Sequence, residues 1–357
     1  MNFLKEKDLA NQWRNAAGLL LIFVTIFLFV FFNYSDLSLD LKKKLPTDSL
    51  LVAKVVETEE VSAGGDVLIS PPKNVEPQLP EFIGESINPE RFSSDSMIVK
   101  DSDTGFVFFR KNEYIQRPIA SITKLMTAIV LLDQGLDWSA TTTVIGADSL
   151  DTHVYKGDVY SIKELWQAGL VASSNKAILS LVNSLDLDEK VFIEKMNQKA
   201  LELGMTDSYF TDPTGLNATN ISTASDISIL LDESLKYDEI KEALNKKELS
   251  LYSTKRNKNH HMWSTNWLLL GWVSSNFSGF TGGKTGYIPA SGYNFTMQVF
   301  DEKGHTINVV VLGAVDHEAR FIEARDIAQW TFSSYKWPGE RLENDNIEIA
   351  SSTELDT

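Results

Sequence analysis

The chain of 357 residues contains no cysteine. Disulfides, thiolate catalysis and cysteine-ligated metals are therefore excluded. Histidine is nearly as scarce, at five residues. His260 and His261 are neighbours and point in different directions, His153, His305 and His317 are scattered, and no His-Glu-x-x-His is present. A zinc peptidase is disfavoured, and no metal or cofactor is expected. Positive charge is also in deficit. Lys and Arg number 33 against 49 Asp and Glu, for a net charge of −16. Nucleic acid and anionic lipid both require a basic surface, so neither is expected as the main partner. No Gly-x-x-x-x-Gly-Lys-Ser/Thr phosphate loop occurs; Gly283-Lys284-Thr285 follows a different spacing.

Long apolar runs are absent except for one. Ala16 to Phe32 carries no charge over 17 residues, and Asn33 and Tyr34 supply an interfacial edge. No small-x-small cleavage pattern follows it, so it reads as an uncleaved signal anchor rather than a signal peptide. The organisation expected is a short cytoplasmic segment (1–15), a membrane anchor (16–34), an acidic, proline-containing stalk (35–93), a folded domain (94–337) and an acidic disordered tail (338–357). The folded domain then lies on the extracytoplasmic side of the membrane.

Within 94–337, Met97–Lys100 and Gly105–Phe109 flank an Asp/Gly-rich turn and read as a hairpin. Ser121–Gly135 reads as a buried helix, and further helices are expected over Ile162–Leu170, Lys176–Leu185, Leu187–Leu203 and from Ser222 to about Tyr237. Gly279–Gly286, Tyr293–Phe300 and Thr306–Ala314 read as strands, and Ala319–Ser333 as a closing helix. Strands at both ends with helices between them predict an α+β domain. Its mostly antiparallel sheet is expected to be covered by the first and last helices, with an inserted helical subdomain and a cleft between the two.

Three short motifs fall at informative places. Ser121 and Lys124 lie one helical turn apart at the start of an apolar helix. Taken alone, Ser121 reads first as a helix N-cap. A serine hydroxyl becomes nucleophilic when a neighbouring neutral amine takes its proton. Ser173-Ser174-Asn175 occupies a turn entering a helix, where cap residues are also expected. Lys284-Thr285-Gly286 sits in a glycine-bearing strand.

Together, Ser-x-x-Lys, Ser-x-Asn and Lys-Thr-Gly are the trio of penicillin-binding proteins and class A β-lactamases. The sequence from about Ser94 to Trp337 resembles the low-molecular-mass penicillin-binding proteins, the serine D-alanyl-D-alanine carboxypeptidases of peptidase family S11. Arg117–Ala128, Leu203-Gly204-Met205, Asp212–Leu216, Ser222-Thr223-Ala224 and Gly282–Gly292 are similar to further family segments. The resemblance implies a β-lactamase/DD-peptidase-like fold, a peptidoglycan stem peptide as substrate and β-lactams as acylating inhibitors.

It also implies roles. Ser121 is the nucleophile, Lys124 its base, Ser173 a proton relay and Asn175 a partner of substrate and Lys124. Lys284 and Thr285 hold the terminal carboxylate, and Gly286 lets substrate backbone lie along the strand. The N–H groups of Ser121 and Tyr287 form the oxyanion hole. Two departures stand out. Ser174 replaces a frequent glycine, leaving Ser173 and Ser174 as alternative hydroxyls, with spacing favouring Ser173. The anchor is N-terminal rather than C-terminal. Removal of the terminal D-alanine is the expected reaction, with cleavage of peptide crosslinks the alternative. A β-lactamase needs a water-activating Glu, and Tyr209–Asn220 has none. A non-enzymatic wall-binding protein would not need the complete trio.

Overall fold

The computed structural model describes residues 78–340. The expected cytoplasmic segment, the anchor at 16–34, most of the stalk and the tail beyond residue 340 lie outside the described residues. Among the described residues no helix is long and apolar enough to cross a membrane.

Five antiparallel strands form the main sheet: β1 (Ser96–Asp101), β2 (Val107–Lys111), β3 (Gly279–Ile288), β4 (Gly292–Phe300) and β5 (Thr306–Ala314), in spatial order β3-β4-β5-β1-β2. The two ends of the domain meet where β5 pairs with β1, Val310 opposite Ile98. Alternation along these strands builds two separate cores. Met97, Val99, Val309, Val311, Phe295, Met297 and Val299 face one side; Ile98, Val310 and Leu312 face the other.

The helices are α1 (Thr123–Asp133), α2 (Ile162–Val171), α3 (Asn175–Asn183), α4 (Glu189–Glu202), α5 (Ala224–Ser234), α6 (Asp238–Leu244), α7 (Trp267–Leu270) and α8 (Ala319–Ser334). The last helix, α8, covers the first face of the sheet as expected, with Phe321, Ala324, Ile327 and Ala328 in that core. The other face is covered chiefly by α5 rather than by the first helix. The reason is the composition of α1. Its residues Thr123 to Leu131 are all buried, so it suits the centre of the helical block, with α3, α4 and α5 packed around it.

Residues ahead of the expected boundary at Ser94 also pack on the domain. Glu81–Phe82 pairs with Tyr335–Lys336, Phe82 stacks near Trp330 and Tyr335, and Phe92 is buried against Phe109. Aromatic contacts made by sequence-distant residues give this segment the core that its own composition lacks.

Ser121 lies in a 3-10 turn, Ala120–Ile122, just ahead of α1. It does not cap the helix; Ile122 is the cap residue and makes no side-chain cap bond. The turn is fixed by two close backbone approaches. A Cβ on Gly215, whose φ is +83°, would lie 1.9 Å from the Ala120 carbonyl oxygen. A Cβ on Gly286 would lie 2.6 Å from the Ile119 carbonyl oxygen and 3.1 Å from the Ser121 nitrogen. Asn294 Nδ2 also donates to the Pro118 carbonyl at 3.2 Å. Gly215→Ala combines a disfavoured φ with a backbone clash. It is expected to destabilise the domain by at least about 2 kcal/mol and to slow acylation of Ser121. Thermal melts and penicillin labelling of the variant measure both, and an unchanged melting temperature would contradict this packing.

Candidate active site

All three motifs converge on one cleft of about 540 Å³, lined by Ser121, Ser173, Thr285, Gly286 and Tyr287 together with Trp263, Trp272, Tyr293, His317 and Arg320. Lys124, Asn175 and Lys284 join it through hydrogen bonds. The sequence motifs thus come from three elements: the turn before α1, the α2–α3 turn and the edge strand β3.

Lys124 is fully buried. Its Nζ lies 2.7 Å from Ser121 Oγ, 2.8 Å from Asn175 Oδ1 and 2.7 Å from the Thr214 carbonyl oxygen. Asn175 Nδ2 donates to the Leu150 carbonyl at 3.3 Å, which orients the amide so that its oxygen faces the lysine. Burial pushes the Lys124 ammonium down to about 7, against the opposing pull of Asp212 and Asp151. A neutral amine here donates two protons and offers one lone pair. Asn175 Oδ1 and the Thr214 oxygen can only accept. Among these three neighbours, the Ser121 hydroxyl alone can donate to that lone pair.

The alternative between Ser173 and Ser174 resolves by geometry. Ser174 is the N-cap of α3: its Oγ accepts from Ala177 N at 3.1 Å and lies 3.2 Å from Asp151 Oδ2. Ser173 Oγ instead accepts from Lys284 Nζ at 2.8 Å and lines the cleft. Ser173 reaches this position with φ at +60°, and Ala120, next to Ser121, has φ at +49°. Non-glycine residues rarely hold this conformation, and strain of this kind concentrates at functional sites.

Lys284 is fully buried, and its Nζ also donates to the Thr285 carbonyl at 2.9 Å. Burial, then the charges of Lys124 and Arg320, push it well below the ordinary lysine value. Thr285 Oγ1 is 2.6 Å from Thr265 Oγ1. Gly286 lines the cleft, and its missing side chain makes room for the Ser121 turn against β3.

Arg320 and His317 escaped the sequence reading. Arg320, at the start of the last helix, is buried and lines the cleft. Its guanidinium sits over Tyr293 and Phe321 and contacts His317 Nε2 at 2.8 Å, while its Nε has no partner. Burial lowers it to about 10. No carboxylate lines the cleft. In a chain of net charge −16, the buried basic side chains of Lys284 and Arg320 therefore converge on one anion-favouring hollow.

The loop inspected for a water-activating Glu is occupied otherwise. Asp212 Oδ1 accepts from Thr214 N, Thr214 Oγ1 and Gly215 N, and its Oδ2 accepts from Asn217 N. Its carboxylate holds the loop that presents Thr214 and Gly215, and so has the role of a brace.

A family model described as D-alanyl-D-alanine carboxypeptidase, peptidase S11, matches residues 84–316. A D-alanyl-D-alanine endopeptidase of Escherichia coli is 33% identical over 258 residues, covering 68% of this chain and 78% of its own length. A D-alanyl-D-alanine carboxypeptidase of Bacillus subtilis, DacF, is 29% identical over 253 residues, covering 68% and 62%. Among solved structures, the Streptomyces K15 DD-transpeptidase superposes with a TM-score of 0.61 at 26% identity, over 68% of this chain and 98% of that one. A D-alanyl-D-alanine carboxypeptidase of Mycobacterium tuberculosis shares the fold, with a TM-score of 0.63 at 24% identity, over 74% and 98%. The chain belongs to the S11 peptidases, the D-alanyl-D-alanine carboxypeptidase family.

Proposed function

We propose that this chain is a serine D-alanyl-D-alanine carboxypeptidase working through an acyl-enzyme on Ser121. The observation that carries the reading is the Lys124 amine, buried against the Ser121 hydroxyl with no other donor among its three neighbours.

The substrate's terminal carboxylate is held near Thr285, Lys284 and Arg320. As Ser121 Oγ bonds to the carbonyl carbon of the penultimate D-alanine, its proton passes to Lys124 Nζ. Negative charge moves to the carbonyl oxygen, where the N–H groups of Ser121 and Tyr287 receive it; such donors typically contribute about 3 kcal/mol each. The C–N bond then breaks, and the leaving D-alanine amine takes the proton held by Lys124, relayed through the Ser173 hydroxyl, which is itself hydrogen-bonded to Lys284; Lys124 is again neutral. Water attacks the ester, losing a proton to Lys124, which returns it to Ser121 Oγ as the Oγ–carbonyl bond breaks and the shortened peptide leaves. β-Lactams acylate the same serine. With no acid lining the cleft to activate water, the penicilloyl ester is expected to persist, which sets the chemistry apart from a β-lactamase.

A second reading, cleavage of crosslinked peptides, draws support from the relatives named D-alanyl-D-alanine endopeptidase. It uses the same bond changes with a larger leaving amine. The same proposal places the domain outside the cytoplasm, tethered by the uncharged run 16–32; a stem-peptide substrate and the N-terminal apolar segment support that placement.

Three outcomes are expected. Ser121→Ala abolishes D-alanine release from a pentapeptide, and release at the wild-type rate would sink the catalytic reading. Acylation by penicillin rises with pH, because Lys124 must be neutral: a base lowered to about 7 gains about tenfold in its neutral fraction between roughly pH 6 and 8. A flat stopped-flow profile across that range contradicts the base assignment. Ser174→Ala loses a cap worth about 1 kcal/mol yet keeps acylation within about threefold, whereas Ser173→Ala lowers deacylation or acylation on the order of 100-fold with little change in melting temperature. The reverse pattern would exchange the two serines.

A further inference from the structure

The cleft that holds Ser121 and Thr285 also carries aromatic residues in its lining. Ser264 and Thr265 close one side of the Lys284–Ser173 contact. Thr265 N donates to the Val171 carbonyl near the α2–α3 turn, and its hydroxyl meets Thr285. From there the chain runs outward through Trp263, at the end of the hairpin Glu248–Ser253/Lys258–Trp263, and through α7 to Trp272. Both indoles line the same cleft as Ser121.

These two residues differ from the tryptophan between them. Trp267 also lines the cleft, but it is partly buried, stacked on Phe321 at 5.7 Å and packed against His317 at 4.3 Å, against the sheet's core. Trp263 and Trp272 are 50% and 57% exposed, with ring centroids 6.3 Å apart. Each is held in place: Trp263 against His261 at 4.7 Å, Trp272 against Trp267 at 5.6 Å and by its N–H bond to the Trp267 carbonyl. A single exposed aromatic residue is unremarkable. Two adjacent, fixed and half-wet indoles on the wall of a catalytic cleft form a preorganised apolar surface. The cleft volume of about 540 Å³ is that of a drug-sized ligand, far more than one leaving alanine occupies.

We infer that Trp263 and Trp272 are specificity-determining residues that seat the second stem peptide of a crosslinked dimer. This deepens the reading of Ser121 as an acyl-enzyme nucleophile and rests on it. The bond changes are those already given: Ser121 Oγ bonds to the D-alanyl carbonyl carbon and the C–N bond to the second peptide's amine breaks. That amine leaves with a proton, and water hydrolyses the ester. The leaving amine belongs to a diamino acid, whose aliphatic side chain lies across the indole faces while the cations below retain the adjacent carboxylate. A monomeric pentapeptide, which loses only D-alanine, does not reach this surface.

The test compares two substrates on the full chain: a monomeric pentapeptide and a D-alanyl-diaminopimelate crosslinked tetrapeptide dimer. For Trp263→Ala and Trp272→Ala, kcat/KM on the dimer is expected to fall about tenfold or more, with kcat/KM on the monomer and the rate of penicillin acylation within about threefold. Trp→Phe at either position should recover part of the loss on the dimer. Equal losses on both substrates, or no loss on the dimer, would overturn the assignment. If wild-type protein neither cleaves the monomer nor forms a penicilloyl adduct, the acyl-enzyme reading itself fails. If those hold and the tryptophan variants do not discriminate, only the seating of the second peptide fails. A wild-type protein that cleaves the monomer alone also overturns it.

Discussion

The burial of one amine governs this site. Water would keep the Lys124 ammonium charged and Ser121 inert. Placed inside the helical block, the same amine is lowered to about 7 and faces two obligate acceptors and one hydroxyl. The cost of removing a cation from water becomes the means of activating a serine. Everything nearby maintains that exclusion. The apolar helix α1 carries the lysine, the Asp212-braced loop supplies the Thr214 carbonyl, and the oriented amide of Asn175 closes the third side.

Burial alone would not aim the serine. The Ser121 turn is pressed between Gly215 and Gly286, at distances that leave no room for a Cβ on either. Asn294, from the sheet, ties down Pro118 immediately upstream. The proposed nucleophile therefore owes its position to the sheet, whereas the amine that would activate it is buried in the helical block. Lys284 and Ser173 make a second link across the same gap. The buried cations Lys284 and Arg320 give an otherwise acidic chain a local attraction for carboxylates.

Much of this was legible in the sequence because it depends on local pattern. Short apolar, β-branched runs such as Met97–Val99 and the alternation in Asn294–Val299 mark strands, and α1 is apolar on nearly every side. The motif residues reached the cleft as a set. What was not legible depends on contacts between distant segments. Ser121 looked like a helix cap, but the cap bond is absent and the turn is set by Gly215 and Gly286. Ser173 and Ser174 differ in role through backbone φ, which their side chains do not disclose. Arg320 gave no signal, since its burial arises from packing against β3 and β4. The strand at Glu81–Phe82 likewise depends on a partner more than 250 residues away.

The most direct measurement is peptide mapping by mass spectrometry after exposure of the full chain to penicillin. A single penicilloyl adduct on Ser121, lost in Lys124→Ala with the fold intact by circular dichroism, is the predicted result. An adduct on Ser173, Ser174 or any other residue, or undiminished labelling of Ser121 without the Lys124 amine, would contradict it.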